Sequence, residues 1–465
     1  MTPLGIAEAA VALRRGETTS AELVERAIAA AHAVDADLGC FVTRFEDGAR
    51  AGAAMADAEL AAGADRGPLH GIPLGIKDII TTADGPTTGQ SLVLDREWGG
   101  ADAPVAARLR AAGAVVVGKT TTMEFAIGAP DTGKPFPVPR NPWDRERWAG
   151  GSSSGSASAV ATGAVLGALG TDTAGSIRIP SAFCGITGLK PSFDLVPKDG
   201  CVPLSYTQDH IGPMAGSARD CALLLATLAG DDPRLTPDLG APGDGLAGLR
   251  IGVDRLTRYS AGGEDPAFPA VFDAALAVLT SLGARLVELE LPAYEELNAA
   301  ARVIMACEAL AYHLPDLRTR WLDYFAGTRQ TVASGAFYSG ADYVQAQRVR
   351  RVGQQALARA CDEVDLVVTP TASCGATPLA DLDALAEVVA SGALGPVYTP
   401  YWDVVGLPVL TVPIGFTADG LPLGLQIAGP AFADPLVLRA GQAYQQVTDW
   451  HRRRPPVPEA ALVDS

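Results

Sequence analysis

The chain has five lysines, Lys77, Lys119, Lys134, Lys190 and Lys198, and every other basic side chain among its 36 Lys and Arg residues is arginine. Lys77 lies in GIPLGIKDII, with isoleucines on both sides. An ammonium set among apolar side chains loses hydration and its pKa falls. A neutral amine can then take a proton, which arginine cannot do. Taken alone, the segment reads as well or better as a Lys77–Asp78 surface pair, or as a lysine reaching outward from a strand end.

Two segments rich in small residues offer hydroxyls. AGGSSSGSASAV (149–160) has the composition of a flexible linker. Within it GSSSG (151–155) formally matches a nucleophile elbow centred on Ser153. An elbow needs an apolar strand before it, and NPWDRERWAG reads as a loop. The downstream histidines His210, His313 and His451 show no convincing acid partner, so the match reads as chance. The second segment is GTDTAGSIRIP (170–180), where small residues surround Ser176. The amides of Ala174, Gly175 and Ser176 can approach a substrate there, as in an oxyanion hole. A glycine turn with Ser176 capping a helix is the simpler alternative. VVVGKTTT (115–122) lacks the leading glycine of a phosphate loop, so Lys119 is expected on the surface after a strand.

The elements that would position these residues alternate between helix and strand. Residues 18–34 carry Thr19 and Glu22 at capping-box spacing before a helical apolar pattern. Residues 104–120 read as helix, glycine stop and buried strand. LRIGVDR, GARLVELELP and DLVVTPT read as strands, and 408–430 as two strands around a TADG turn. A last helix is expected from about Asp434 to Trp450, with a fraying Pro/Arg-rich tail after it. The sum is an α/β protein with a mixed sheet. The loop-like stretch 230–248 reads as a surface loop inside one large domain.

Composition narrows the function. The 465 residues are 48% hydrophobic and 19% charged, enough for a large core. A net charge of −17 without a basic cluster argues against nucleic acid as a partner. Seven widely spaced cysteines without a C-x-x-C pair argue against a disulfide framework and a zinc site, and most are expected to be small buried residues. The N-terminus lacks a signal-peptide pattern and no apolar run reaches spanning length, so the expectation is a cytoplasmic protein without a membrane partner.

Together the segments resemble the amidase signature family. The likeness is dense from about Pro68 to Gly230, in GPLHGIPLGIKDI, GKTTTMEFAIG, RNPWD, GGSSSGSASAVATG, GTDTAGSIRIPSAFCGITGLKPS and DGCVPLSYTQDHIGPMAGSARD. A looser match covers DLVVTPT and GLPVLTVPIGFTADGLPLGLQIAG. The resemblance implies the amidase signature fold: one domain over 1–465, a twisted mixed sheet covered by helices on both faces, a core at about 68–230, and 249–450 completing sheet and pocket.

Carried over by position, the catalytic lysine falls on Lys77, the bridging serine on Ser152 and the nucleophile on Ser176. The oxyanion amides fall on Thr173, Ala174, Gly175 and Ser176, and the Gly151–Ser152 peptide is expected to be cis. Ser153, Asp172 and Arg178 are expected to support the two loops, the last two as an ion pair. Ser154 and Ala174 stand where many relatives have glycine.

The implied activity is cleavage of a carboxylic amide C–N bond through a serine acyl-enzyme, without metal or cofactor. Expected substrates are small amides, aryl acylamides and other anilides, or carbamates and esters, taken by a monomer or homodimer. The alternative is the glutamine-cleaving A chain of a glutamyl-tRNA amidotransferase, which works with partner proteins. The acidic contact for the glutamine amino group in that enzyme has no clear match before Gly406, though Asp403 is near. Phe136 and Tyr398, Tyr401 and Trp402 are candidate pocket walls, the last three equally plausible as core.

Overall fold

The computed structural model describes residues 5–95, 98, 100–235, 245–259, 263–382 and 397–456. Alternating apolar residues in the strands need cover on two sides, and the structure supplies it around a single sheet. Its strands are β1 (Phe41–Arg44), β2 (Pro73–Lys77), β3 (Val115–Thr120), β4 (Gly167–Asp172), β5 (Thr187–Lys190), β6 (His210–Ala215), β7 (Arg250–Val253), β8 (Arg285–Glu288), β9 (Leu366–Pro370), β10 (Val409–Phe416) and β11 (Pro422–Ala428). They lie in the order β1-β3-β2-β4-β6-β5-β10-β11-β9-β7-β8.

Parallel pairs sit toward both ends, at β3-β2-β4 and β9-β7-β8, and antiparallel pairs fill the middle. Successive strand residues face opposite sides. Leu169 of β4 joins the main core with the helices Pro104–Ala111 and Ala218–Ala229, while its neighbour Ala168 joins a second core with the helices Ser20–Leu38 and Ser154–Thr162. In the same way Leu410 and Val368 face the main core, and Val409 and Val367 face a third one under the helices Tyr294–Arg320 and Gly340–Ala360. The chain is therefore an α/β protein with a mixed sheet covered on both faces.

Local expectations fare well where capping or periodicity is strong. The helix Ser20–Leu38 opens on Thr19, whose hydroxyl accepts from the Glu22 amide at 3.1 Å in a capping box. The TADG turn joins β10 to β11, and the last helix runs Asp434–Val447. Within 230–248, residues 236–244 lie outside the described residues, as do 457–465 of the tail.

Lys119 is a correction. It is fully buried, donates to Ile80 C=O at 2.6 Å and Thr87 Oγ1 at 2.8 Å, and lies 3.4 Å from Asp78 Oδ1. Asp78 is buried too, so the surface-pair reading of Lys77 and Asp78 fails: the partner of Asp78 comes from the adjacent strand β3. The cysteines also differ from expectation. Cys40, Cys184 and Cys221 are buried, but Cys201, Cys307, Cys361 and Cys374 are partly exposed, and all seven are free thiols. Among the described residues no helix is long and apolar enough to cross a membrane.

Candidate active site

Strands β2 and β4 are parallel neighbours, so their C-terminal ends emerge side by side. Such strand ends are where open α/β sheets bind ligands. Lys77 is the last residue of β2 and Asp172 the last of β4. The chain leaves β4 through Thr173–Ser176 into the helix Arg178–Cys184, and the Gly/Ser tract enters the helix Ser154–Thr162 beside it.

Lys77 is completely buried. Its Nζ lies 2.7 Å from Ser152 Oγ and donates to Thr171 Oγ1, also at 2.7 Å. Burial pushes its pKa down to about 7, against the weaker upward pull of Cys201, Asp172 and Asp209. A large share of the amine is neutral at neutral pH, and it has a hydroxyl on each side. The Gly151–Ser152 peptide bond is cis.

Ser176 reaches the same place through its backbone: its carbonyl accepts from the Ser153 amide at 3.1 Å. Ser153 Oγ contacts both the amide and the carbonyl of Thr171 at 3.1 Å. A hydroxyl so committed to the backbone ties the loop to β4 and makes a poor elbow nucleophile. Ser154 closes on the Gly150 carbonyl. The Gly/Ser tract is thus tied down along its length.

Asp172 and Arg178 form the expected ion pair, with Nε to Oδ2 at 2.9 Å and both side chains fully buried. Burial alone would raise the Asp172 carboxyl, but the Arg178 guanidinium and its hydrogen bonds hold it well below the usual carboxylate range. Asp172 also accepts from the Gly175 amide at 2.5 Å and the Ile177 amide at 3.1 Å. The Gly175 N–H therefore points at Asp172, which leaves Thr173, Ala174 and Ser176 as the amides available for an oxyanion. Gly175 has φ 121°, and a Cβ there would sit 2.0 Å from Thr399 Oγ1, so only glycine fits.

Several contributors escaped the sequence reading. Thr171 orients the amine. Thr399 donates to the Ala174 carbonyl at 2.6 Å and clamps the Thr173–Ser176 segment from the C-terminal part of the chain. Arg178 also donates to Thr399 C=O at 2.9 Å, to Gln426 Oε1 at 2.7 Å and to Asp403. Burial raises the Asp403 carboxyl well above its usual range despite Arg178. Behind this group, Lys190 Nζ and His210 Nε2 are 3.2 Å apart, and His210 Nδ1 lies 3.2 Å from the Asp172 carbonyl oxygen. The alternation of β4 flags Thr171 as a residue at a functional strand end. No local signal points to Thr399, more than 200 residues from Ala174.

Of the two readings open for Tyr398, Tyr401 and Trp402, the structure selects the core one. Tyr401 and Trp402 are core residues, Tyr401 stacking on Tyr294 at 5.4 Å and donating to the Pro292 carbonyl at 3.0 Å. Tyr398 is also buried, and Phe136 packs toward Phe325 at 6.0 Å. The cavity beside the site, about 350 Å³, is lined instead by Trp98, Tyr206, Lys198, Asp209 and His210, together with Thr171 and Thr173. No group of three or more His, Cys, Asp or Glu side chains suited to a metal occurs among the described residues.

A family model described as Amidase matches residues 22–438. The A chain of the glutamyl-tRNA(Gln) amidotransferase of Roseiflexus sp. (strain RS-1) is 40% identical, covering 98% of this chain and 98% of that protein. The native peptide amidase from Stenotrophomonas maltophilia superposes with a TM-score of 0.81 at 30% identity, covering 98% of each chain. A structure from a vestigial protein complex that reveals the evolutionary origins of an s-triazine catabolic enzyme superposes with a TM-score of 0.84 at 32% identity, covering 95% of this chain and 98% of that one.

Proposed function

The chain belongs to the amidase family, and from that premise we propose that it cleaves a carboxamide through an acyl-enzyme on Ser176. The observation that carries this is the buried amine of Lys77, pushed down to about 7 and placed 2.7 Å from Ser152. A serine hydroxyl becomes a useful nucleophile only when a base removes its proton. Ser176 gives its proton to Ser152 Oγ as Ser152 gives its own to neutral Lys77. Ser176 Oγ then bonds to the carbonyl carbon, and the oxyanion is held by the amides of Thr173, Ala174 and Ser176. Ser152 protonates the leaving nitrogen and recovers a proton from Lys77, the C–N bond breaks, and the amine or ammonia departs. Water repeats the relay to free the acid. Residues 1–465 are read as one amidase domain, with its core at about 68–230 and with 249–450 completing sheet and pocket.

For the substrate, the near full-length relative at 40% identity favours an ammonia-releasing glutaminase that works beside partner proteins in an amidotransferase. A second reading, a free amidase acting on small amides, anilides or carbamates, draws on two observations. Asp403, the acid just upstream of the GLP segment, is buried against Arg178 and does not line the cavity. The peptide amidase is also among the structural likenesses. The test is hydrolysis of glutamine, short amides, anilides and carbamates by the purified chain, alone and with the other proteins of an amidotransferase. Glutamine cleavage that rises with partners supports the first reading; anilide cleavage by the chain alone supports the second. No cleavage of any amide, with no covalent labelling of Ser176 by a fluorophosphonate, overturns both.

A further inference from the structure

Lys198 is unlike the other lysines near the site. Lys77 contacts two hydroxyls, Lys119 faces Asp78, and Lys190 contacts the Pro191 carbonyl and His210. Lys198 lines the cavity beside the site, with Nζ 4.2 Å from the centroid of the Phe193 ring and 4.4 Å from that of Tyr206. It donates to the Tyr206 carbonyl at 2.6 Å and forms no ion pair among the described residues. Ring faces steady a cation but offer no lone pair to its N–H groups. An ammonium has three donors, so two remain.

Two nearby carboxylates, Asp209 and Glu308, are held by other partners, and Asp194 is exposed to solvent. Asp209 accepts from Thr173 Oγ1 at 2.6 Å and from the Leu204 and Ser205 amides at 3.0 Å each. Glu308 accepts from Ser205, Thr207 and Tyr343. Asp199, which also lines the cavity, is exposed to solvent.

We propose that Lys198 is the anion-binding end of this cavity, and that the substrates are amides carrying a carboxylate, with the scissile carbonyl held at the Thr173 end. The inference rests on the amidase reading and narrows its substrate class. A sphere of 350 Å³ is about 9 Å across, which suits a five-carbon ω-amide acid stretched between Lys198 and the oxyanion amides. Glutamine falls in this class, and so do simple ω-amides of dicarboxylic acids.

The test uses the full chain and reads protection of Ser176 from fluorophosphonate labelling by glutaramate or by its neutral counterpart, pentanamide. Charge-assisted hydrogen bonds are about twice as strong as neutral ones, so glutaramate should protect at a concentration at least about tenfold lower. Lys198→Met should erase that advantage and leave pentanamide protection unchanged, and Lys198→Arg should keep it. Equal protection by both amides in the unaltered protein overturns the proposal. So does weakening of both by the same factor in Lys198→Met, which would mark Lys198 as a prop for the Tyr206 loop. Absence of any Ser176 labelling would instead remove the amidase reading beneath it, so the two failures are distinct.

Discussion

If Lys77 is the base, the rate of covalent labelling of Ser176 by a fluorophosphonate must follow the fraction of Lys77 that is neutral. With a pKa of about 7, that fraction is about 1% at pH 5, about 9% at pH 6, half at pH 7 and about 90% at pH 8. The rate should climb nearly tenfold per unit from pH 5 to 6, bend near 7 and flatten above 8, an overall rise of about 100-fold. A lysine at its ordinary value of about 10.4 would be only about 0.04% neutral at pH 7, and the rate would keep rising to pH 10. The shift therefore makes a difference of about a thousandfold at neutral pH.

Labelling suits this test because it needs no knowledge of the natural substrate. Second-order rate constants are taken between pH 5 and 10 at constant ionic strength. Other groups beside the site are easily separated from Lys77. Burial pushes the His210 imidazole well below its ordinary value, and the Cys201 thiol up to about 12. Lys190 is pushed down to about 8 by burial, but it does not touch Ser152. Lys190→Met should leave the midpoint in place, whereas Lys77→Arg, which cannot deprotonate, should remove labelling at every pH. A flat profile from pH 5 to 9, or one still climbing at pH 10, would refute the neutral-amine mechanism.

Three further outcomes follow from the same geometry. Gly175→Ala should cut labelling at least about 100-fold, because its Cβ would lie 2.0 Å from Thr399 Oγ1 and displace the oxyanion loop; a normal rate with an intact circular dichroism spectrum would refute this role. Arg178→Met should cost about 3–5 kcal/mol, since it strands Asp172 and Asp403 in the interior, and thermal unfolding would register it. Burial raises Glu124, which accepts from Ser91 and the Phe325 amide, from 4.5 to about 7. The folded state then binds a proton between pH 4.5 and 7 that the unfolded chain has released, so this carboxyl's contribution of about 3 kcal/mol is present below 4.5 and lost as pH rises through 7. Glu124→Gln should flatten that part of the stability–pH curve, and an unchanged slope in urea titrations at stepped pH would contradict it.

By itself the sequence determined the fold class, several of the strands and the three segments that bear Lys77, Ser152 and Ser176. Each of these is written locally, in caps, apolar periodicity and runs of small residues that let backbones approach. Burial and distant partners were decided only by tertiary structure. Lys77 and Lys119 both precede or end apolar runs, yet one faces two hydroxyls and the other a carboxylate, because β2 and β3 lie side by side. Thr399 reaches Ala174, and Asp403 reaches Arg178, each from more than 200 residues away. The aromatic residues around them turned into the core, since the helix Pro400–Val405 stacks Tyr401 on Tyr294 and turns Asp403 to Arg178. Local pattern sets which residues can do chemistry, but a pKa depends on the dielectric and charges of the finished interior, which no short window of sequence contains.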